Sequence, residues 1–418
     1  MSASSARRSF LKAAGALALS PAARAAGERA RVVVVGGGFG GATAARHLKL
    51  GNPALEVTLV EREAVFTSCP LSNLVVSGAR RMEEIQRPYD RLRAHGVQLV
   101  HDEAVAIDPA RRSVRLARGP QLRYDRLIVS PAVDFELDEM EGFEEASRSG
   151  AVLHAWKAGE QTLALRRRLV DMKDGGVYVL TVPLAPYRCP PAPYERASQV
   201  AAYFKRAKPR AKVLVLDANE DPASEPALFK RAWADLYKGL IEYRPSQNAV
   251  GVAPGEVRLD FDTVKGDVLN VIPPQRAADI ARQAGLVTTN RRWCDVDWLT
   301  FESKAVRGIH VLGDATLAAD GMPKSGHMAN SMGRACAAAV LALLAGREPA
   351  RDAVLRSTCY SFVSADEAVH IASAHAWDSG RRTLVPLPSA AERSTVRTRE
   401  DAERAWAWAH ELWNDMLG

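Results

Sequence analysis

No apolar run in this 418-residue chain approaches the roughly 20 residues that a membrane-crossing helix needs, so no segment reads as a membrane span. No Cys-x-x-Cys-His is present, which excludes a c-type haem carried by the chain itself, and no histidine or cysteine cluster has metal-ligand spacing. Cysteine is scarce. Cys69, Cys189, Cys294, Cys336 and Cys359 are the only five, and an odd number leaves at least one outside any internal pairing. Nothing points to nucleic acid. What remains is a soluble balance of 47% hydrophobic and 25% charged residues on a chain long enough for two or three domains.

More than half of the formal net charge of +7 comes from Arg7, Arg8, Lys12 and Arg24. These lie in residues 1–25, where Arg7-Arg8-Ser9-Phe10-Leu11-Lys12 precedes a mild apolar run and Ala23-Arg24-Ala25. The segment reads as a twin-arginine signal peptide with a small-residue cleavage site. That route exports folded proteins, so a cofactor can be loaded first, and the expected location is periplasmic. In an oxidising compartment a disulfide can persist.

The hydrophobic patterning predicts an α/β protein. It has two Rossmann-like dinucleotide-binding-type domains and a C-terminal α+β module. The first domain is expected over 28–145 and 286–345, the second over 146–285, and the module over 346–418. Strands are expected at 31–35, 57–60, 177–182, 212–216 and 306–313, and helices near 158–172, 194–207 and 326–344.

Gly36, Gly38 and Gly41 form a G-x-G-x-x-G between the first strand and the first helix. The first glycine makes the turn, the second admits a pyrophosphate and the third lets helix pack on strand. Glu61 ends the second strand, where a carboxylate binds ribose hydroxyls and disfavours a 2′-phosphate. The motif alone does not separate FAD from NAD. The downstream strand ending in Gly313-Asp314 does, because such an aspartate can accept a hydrogen bond from a flavin ribityl chain. The helix after Gly326 would aim its positive end at the flavin pyrimidine, and Lys324 either adds charge there or is a solvated loop lysine.

The second α/β unit departs from a nicotinamide site. Its strand at 177–182 runs into Pro183-Leu184-Ala185-Pro186-Tyr187-Arg188-Cys189-Pro190-Pro191, with prolines and a thiol where glycines should admit a pyrophosphate. NAD(P)H exchange is therefore disfavoured, and the thiol points to sulfur chemistry.

With G-G-G-F-G-G-A-T-A-A, S-C-P-L-S-N, H-A-W-K-A-G-E-Q-T, R-C-P-P-A-P-Y-E-R-A-S-Q-V-A, N-V-I-P-P-Q-R-A, G-D-A-T, M-P-K-S-G-H and T-C-Y-S all present, the chain resembles the flavoprotein subunit of flavocytochrome c sulfide dehydrogenase. That family is related to the sulfide:quinone oxidoreductases within the disulfide-reductase-like flavoproteins. The resemblance implies a redox-active disulfide of Cys189 and Cys359 beside the flavin. Hydrosulfide would attack one sulfur, the other would leave as thiolate, and the electrons would pass to the flavin. The other reading is a structural disulfide clamping the C-terminal module. The resemblance also implies FAD carried covalently by Cys69 through an 8α-thioether, although Pro70 stands where the family leads one to expect an aromatic residue. Glu195, at the start of a helix, either interacts with the helix dipole or handles protons at the disulfide with a raised pKa. Cys294 and Cys336 read as core thiols, and His154 and His327 as structural.

The acceptor separates three readings. Ala402, Ala405, Trp406, Ala409, Leu412, Trp413 and Met416 form one stripe of the last helix, opposite Asp401, Glu403, Glu411 and Asp415. A membrane-surface helix would carry lysine and arginine there, so this one is expected to pack on its own protein or a partner. With the expected export, the resemblance implies a heterodimer with a c-type cytochrome subunit as acceptor and sulfide as substrate. A peripheral sulfide:quinone oxidoreductase and a non-turnover accessory flavoprotein of a sulfur-oxidation system are the alternatives.

Overall fold

The computed structural model describes residues 29–418, and the expected signal at 1–25 lies outside them. Four consecutive valines make Arg31–Val35 a strand whose last four residues are buried, as the centre of a parallel sheet demands. Its sheet has the order Ile309–Val311, Arg126–Val129, Arg31–Val35, Glu56–Val60, Gln98–Val100, with every pair parallel. A strand from late in the chain thus joins a sheet begun near its start. That strand is shorter than the expected 306–313. Gly308 and Gly313 take left-handed φ values of 80° and 69° and close it at both ends.

The second sheet is also parallel, in the order Val152–Leu153, Val268–Val271, Val177–Val182, Lys212–Asp217, Ile241–Arg244. The helices Glu160–Asp171 and Ala192–Ala207 belong to this unit. The α/β class and the two Rossmann-like units are those expected. Between the units, Val133–Phe135 pairs antiparallel with Gln275–Ala277.

In the C-terminal region, Val354–Phe362, Ala368–Asp378 and Thr383–Pro386 form an antiparallel sheet, followed by the helix Arg399–Leu417. That helix packs on the chain itself: Ala402, Ala405, Ala409, Leu412, Trp413 and Met416 are buried, while Trp406 is only half-buried. Its opposite face is less solvated than the pattern suggested. Asp401 is buried against His370 and Ser394, and Asp415 bonds His47 and Asn330. No helix among the described residues is long and apolar enough to cross a membrane.

The helices Phe39–Gly51 and Gly326–Leu344 touch backbone to backbone. A Cβ on Gly333 would lie 2.5 Å from the Gly40 carbonyl oxygen, so only glycine permits this approach. The contact brings the N-termini of both helices to one place.

Candidate active site

The glycines fix the phosphate end of the site. Gly36 has φ +96°, and a Cβ there would stand 2.3 Å from the Ser130 carbonyl oxygen; on Gly41 it would stand 1.9 Å from the Gly36 oxygen. Both are needed for the turn itself. Gly38 differs, because a Cβ there meets nothing within 4 Å of protein. It faces a cavity of about 880 Å³. Glu61 lines the same cavity and accepts from the Gly37 and Glu63 amides at 2.6 and 2.9 Å.

Cys69, Cys189 and Asp314 also line this cavity. Asp314 Oδ1 is buried without a hydrogen-bond partner, and burial pushes the carboxyl's pKa up, against Arg188 and Lys324. An unpaired buried acceptor calls for a donor from a ligand. A flavin adenine dinucleotide fits these residues: the open face of Gly38 for its phosphates, Glu61 for its ribose, Asp314 Oδ1 for a ribityl hydroxyl.

Cys189 stands in the left-handed region at φ +56°, a strained conformation for a non-glycine residue. Its N–H donates to the Lys324 carbonyl at 2.7 Å, which ties the proline loop to the segment before helix Gly326–Leu344. Cys359 lies in the strand Val354–Phe362, with the Ser357 and Ser325 hydroxyls as its polar neighbours. All five cysteines are free thiols here, so Cys189 and Cys359 stand unbonded rather than as the implied disulfide. They are nonetheless electrostatic neighbours. Burial pushes the Cys189 thiol well above its usual range, and Cys359 and then Glu195 push it further, while Arg188 opposes them. Burial raises Cys359 too, but the two serine hydroxyls pull it back.

Glu195 is buried in the first turn of Ala192–Ala207. Burial raises its carboxyl to about 7, against hydrogen bonds from the Phe362 amide and the Asn73 side chain and the charge of Arg196. Its charge acts on both thiols. The residue also sits in a helix first turn, as the dipole reading expects, and its raised carboxyl pKa is the one the proton-handling reading expects.

Lys324 is turned away from the cavity. Its ammonium donates to the Asp314 and Thr316 carbonyls at 3.0 and 2.5 Å and lies 3.7 Å above the Trp293 ring. Burial lowers it to about 8. It is therefore not a solvated loop lysine, and it is not among the residues that line this large cavity. The cations that line the cavity beside the thiols are Arg188 and Arg196. Burial works against the charge on Arg188, but Cys69, Asp314 and Cys189 more than offset it. Its guanidinium bonds the Trp156 carbonyl. Arg196 bonds the Asn73 side chain and the carbonyls of His154 and Ala155.

Arg188, Arg196, Asn73, Ser325 and Ser357 were not singled out from the sequence. Four of them stand inside the quoted segments S-C-P-L-S-N, R-C-P-P-A-P-Y-E-R and M-P-K-S-G-H, and Ser357 is two residues before Cys359. For Asn73, Arg196 and Ser357 the available signal was strand or helix spacing from a cysteine; Arg188 adjoins one, and Ser325 offered no such signal. His154 and His327 are neutral: burial first, then neighbouring cations, lowers them to about 3 and about 4. Cys294 and Cys336 are fully buried away from the cavity, and burial pushes the Cys294 thiol up to about 12. No cluster of metal-ligating side chains occurs among the described residues.

Three family models match successive parts of the chain. The pyridine nucleotide-disulphide oxidoreductase model covers residues 30–168, the central model of the sulfide dehydrogenase (flavocytochrome c) flavoprotein chain covers 162–273, and the flavin-binding model of flavocytochrome c sulphide dehydrogenase covers 351–417. A sulfide dehydrogenase (flavocytochrome c) flavoprotein chain from Chlorobaculum thiosulfatiphilum is 58% identical over 45 residues, 11% of this chain and 94% of that one. The mitochondrial sulfide:quinone oxidoreductase of Mus musculus is 27% identical over 302 residues, 68% of this chain and 65% of its own length, so the match spans just under two thirds of that relative. The crystal structure of the sulfide:quinone oxidoreductase from Aquifex aeolicus superposes with a TM-score of 0.77 at 20% identity, covering 93% of this chain and 91% of that one, which shows a shared fold.

Proposed function

The chain belongs to the sulfide dehydrogenase and sulfide:quinone oxidoreductase-like flavoproteins, and from that premise we propose that it oxidises sulfide at Cys189 and Cys359 and hands the electrons through FAD to a c-type cytochrome subunit in the periplasm. One observation carries the reading: Cys189 and Asp314 line one cavity, and Cys359 and Glu195, outside its lining, are close enough to Cys189 to raise its thiol.

In the oxidised form the two sulfurs are bonded to each other. Hydrosulfide attacks one of them, an S–S bond forms to the incoming sulfur, the original S–S bond breaks, and its electron pair stays on the other sulfur as thiolate. A second hydrosulfide removes the bound sulfur as polysulfide and leaves two thiols. FAD, held by Gly38, Glu61 and Asp314, would supply the two-electron acceptor chemistry that the return of the thiols to a disulfide requires. Arg188 and Arg196 give the cavity a buried positive character that favours the anion HS⁻ over neutral H2S. Glu195, with its pKa near neutrality, takes the proton released when the dithiol is oxidised. Cys69, on the cavity wall, is the residue we assign to carry the flavin.

The choice of a cytochrome over a membrane quinone rests on the last helix, whose apolar stripe, apart from the half-buried Trp406, is covered by the chain's own residues, the first helix and C-terminal sheet among them. The periplasmic setting rests on Arg7-Arg8 and the leader around them. The test is steady-state turnover with sulfide as donor. Reduction of an added c-type cytochrome, without flotation on liposomes, supports the proposal. Reduction of a soluble quinone with liposome binding shifts it to a quinone oxidoreductase. Negligible turnover with either, together with a stable complex with a sulfur-carrier protein, replaces it with an accessory role.

A further inference from the structure

Three side chains near the start of helix Gly326–Leu344 zip it to the strand that carries Cys359. Ser331 Oγ both donates to the Arg356 carbonyl at 3.0 Å and accepts from the Arg356 N–H at 3.1 Å. His327 Nδ1 accepts from the Thr358 N–H at 3.0 Å. Between these two, Ser325 Oγ and Ser357 Oγ are 2.7 Å apart. The register is therefore fixed residue by residue. Ser357 and Cys359 are two apart in a strand, so both side chains leave it on the same face, toward the helix start.

Ser325 is also the N-cap of this 19-residue helix, and its Oγ accepts the Met328 N–H at 3.1 Å. That bond occupies a lone pair and leaves the hydroxyl proton available to donate outward. Both serines are buried, at 3% and 2% exposure, so neither hydroxyl is diverted to bulk water. Two hydroxyls carry two protons. One closes the Ser325–Ser357 bond and the other is free to point at the sulfur, with the helix N-terminus behind it. Cys189 has no such partner. Its N–H and carbonyl are bound to Lys324 and Ala192, and its thiol faces the cavity.

We propose that Ser325 and Ser357 are catalytic residues, a hydroxyl pair backed by the N-terminus of helix Gly326–Leu344 that donates to the Cys359 sulfur when it is anionic, so that the opened pair holds its negative charge on Cys359 and its proton on Cys189. This rests on the reading of Cys189 and Cys359 as the redox pair. The pair supplies no electrons and breaks no bond. It lowers the cost of the thiolate that is left when the S–S bond opens, and when the dithiol is oxidised again it surrenders only its hydrogen bond.

The test needs no sulfide. The FAD-loaded protein is reduced anaerobically with dithiothreitol, freed of reductant and alkylated with iodoacetamide across pH, and the labelled Cys359 and Cys189 peptides are quantified by mass spectrometry. The expected result is a lower pH midpoint for Cys359 than for Cys189. Ser357→Ala and Ser325→Ala should move the Cys359 midpoint upward by about one pH unit, the size expected for losing one hydroxyl donor to a thiolate. Ser357→Thr, which keeps the hydroxyl, should restore it. Loss of helix packing alone would change the labelling rate but not the midpoint. Equal midpoints for the two thiols, or an unmoved Cys359 midpoint in alanine variants that retain flavin, would overturn the proposal. If the midpoints move as stated and sulfide still fails to reduce the flavin, the hydroxyl pair stands and the sulfide reading falls.

Discussion

The carboxylate of Glu195 accepts a hydrogen bond from the backbone N–H of Phe362 at 2.9 Å, across 167 residues of chain. Its other oxygen accepts from the Asn73 side chain at 2.6 Å. One turn further along the helix the pattern repeats: Gln199 accepts from Ser77 and donates to the Phe362 and Ser364 carbonyls. These two rungs cross-link three segments. Asn73 lies four residues after Cys69, Glu195 six after Cys189, and Phe362 three after Cys359. The ladder is what holds three distant cysteines at one site.

Glu195 should therefore set a pH dependence. Its folded pKa of about 7 is above the ordinary carboxyl value of 4.5, so the native state binds an extra proton between those limits. The stability it contributes is full below about pH 4.5 and is lost as the pH rises through about 7, at a cost of roughly 3 kcal/mol. Sulfide-driven flavin reduction should rise through the same midpoint as the carboxylate forms. Glu195→Gln should remove that midpoint from the pH–rate profile and slow the reaction roughly 10- to 100-fold. A profile unchanged in shape would show that Glu195 is only a structural rung.

Asn73→Ala removes a hydrogen bond that favours the ionised carboxylate. The midpoint of the same profile should move to higher pH, while flavin content stays at the wild-type level. A stopped-flow pH series on the two proteins checks this.

The two glycines of the phosphate loop should fail in different ways. Gly41→Ala places a Cβ 1.9 Å from the Gly36 oxygen, so the protein should not fold to a stable product. Gly38→Ala has open space on the protein side, so it should fold with near-native circular dichroism yet bind far less FAD. Flavin absorbance per mole of folded protein separates the two. Equal flavin content in Gly38→Ala and wild type would contradict the placement of the phosphates.

Cys69→Ala decides how the flavin is held. Acid-precipitated wild-type protein should stay yellow, and the variant should release its colour to the supernatant while still binding FAD before precipitation. Colourless wild-type pellets would refute the covalent link.

The expected Rossmann-like units were legible because they rest on local signals: consecutive valines at Arg31–Val35, the glycine turn, and the β-branched run at Val177–Val182, which the structure places at the same limits. The three cysteines could be named from the family resemblance and Glu195 from its place at the start of a helix, but their neighbours could not. Ser325 and Ser357 meet only because helix Gly326–Leu344 lies along strand Val354–Phe362, and hydrogen bonding across such a contact leaves no periodic trace in either segment. Lys324 shows the reverse problem. Its charge drew attention to it in the sequence, yet the fold points it at two carbonyls, and Arg188, beside the cysteine, lines the cavity instead.

The most direct measurement is anaerobic rapid mixing of the FAD-loaded protein with sulfide, following bleaching of the flavin absorbance in wild type, Cys189→Ser and Cys359→Ser. The account predicts fast bleaching in wild type and its loss, by at least three orders of magnitude, in both variants with FAD still bound. Bleaching at the wild-type rate in either variant would contradict it.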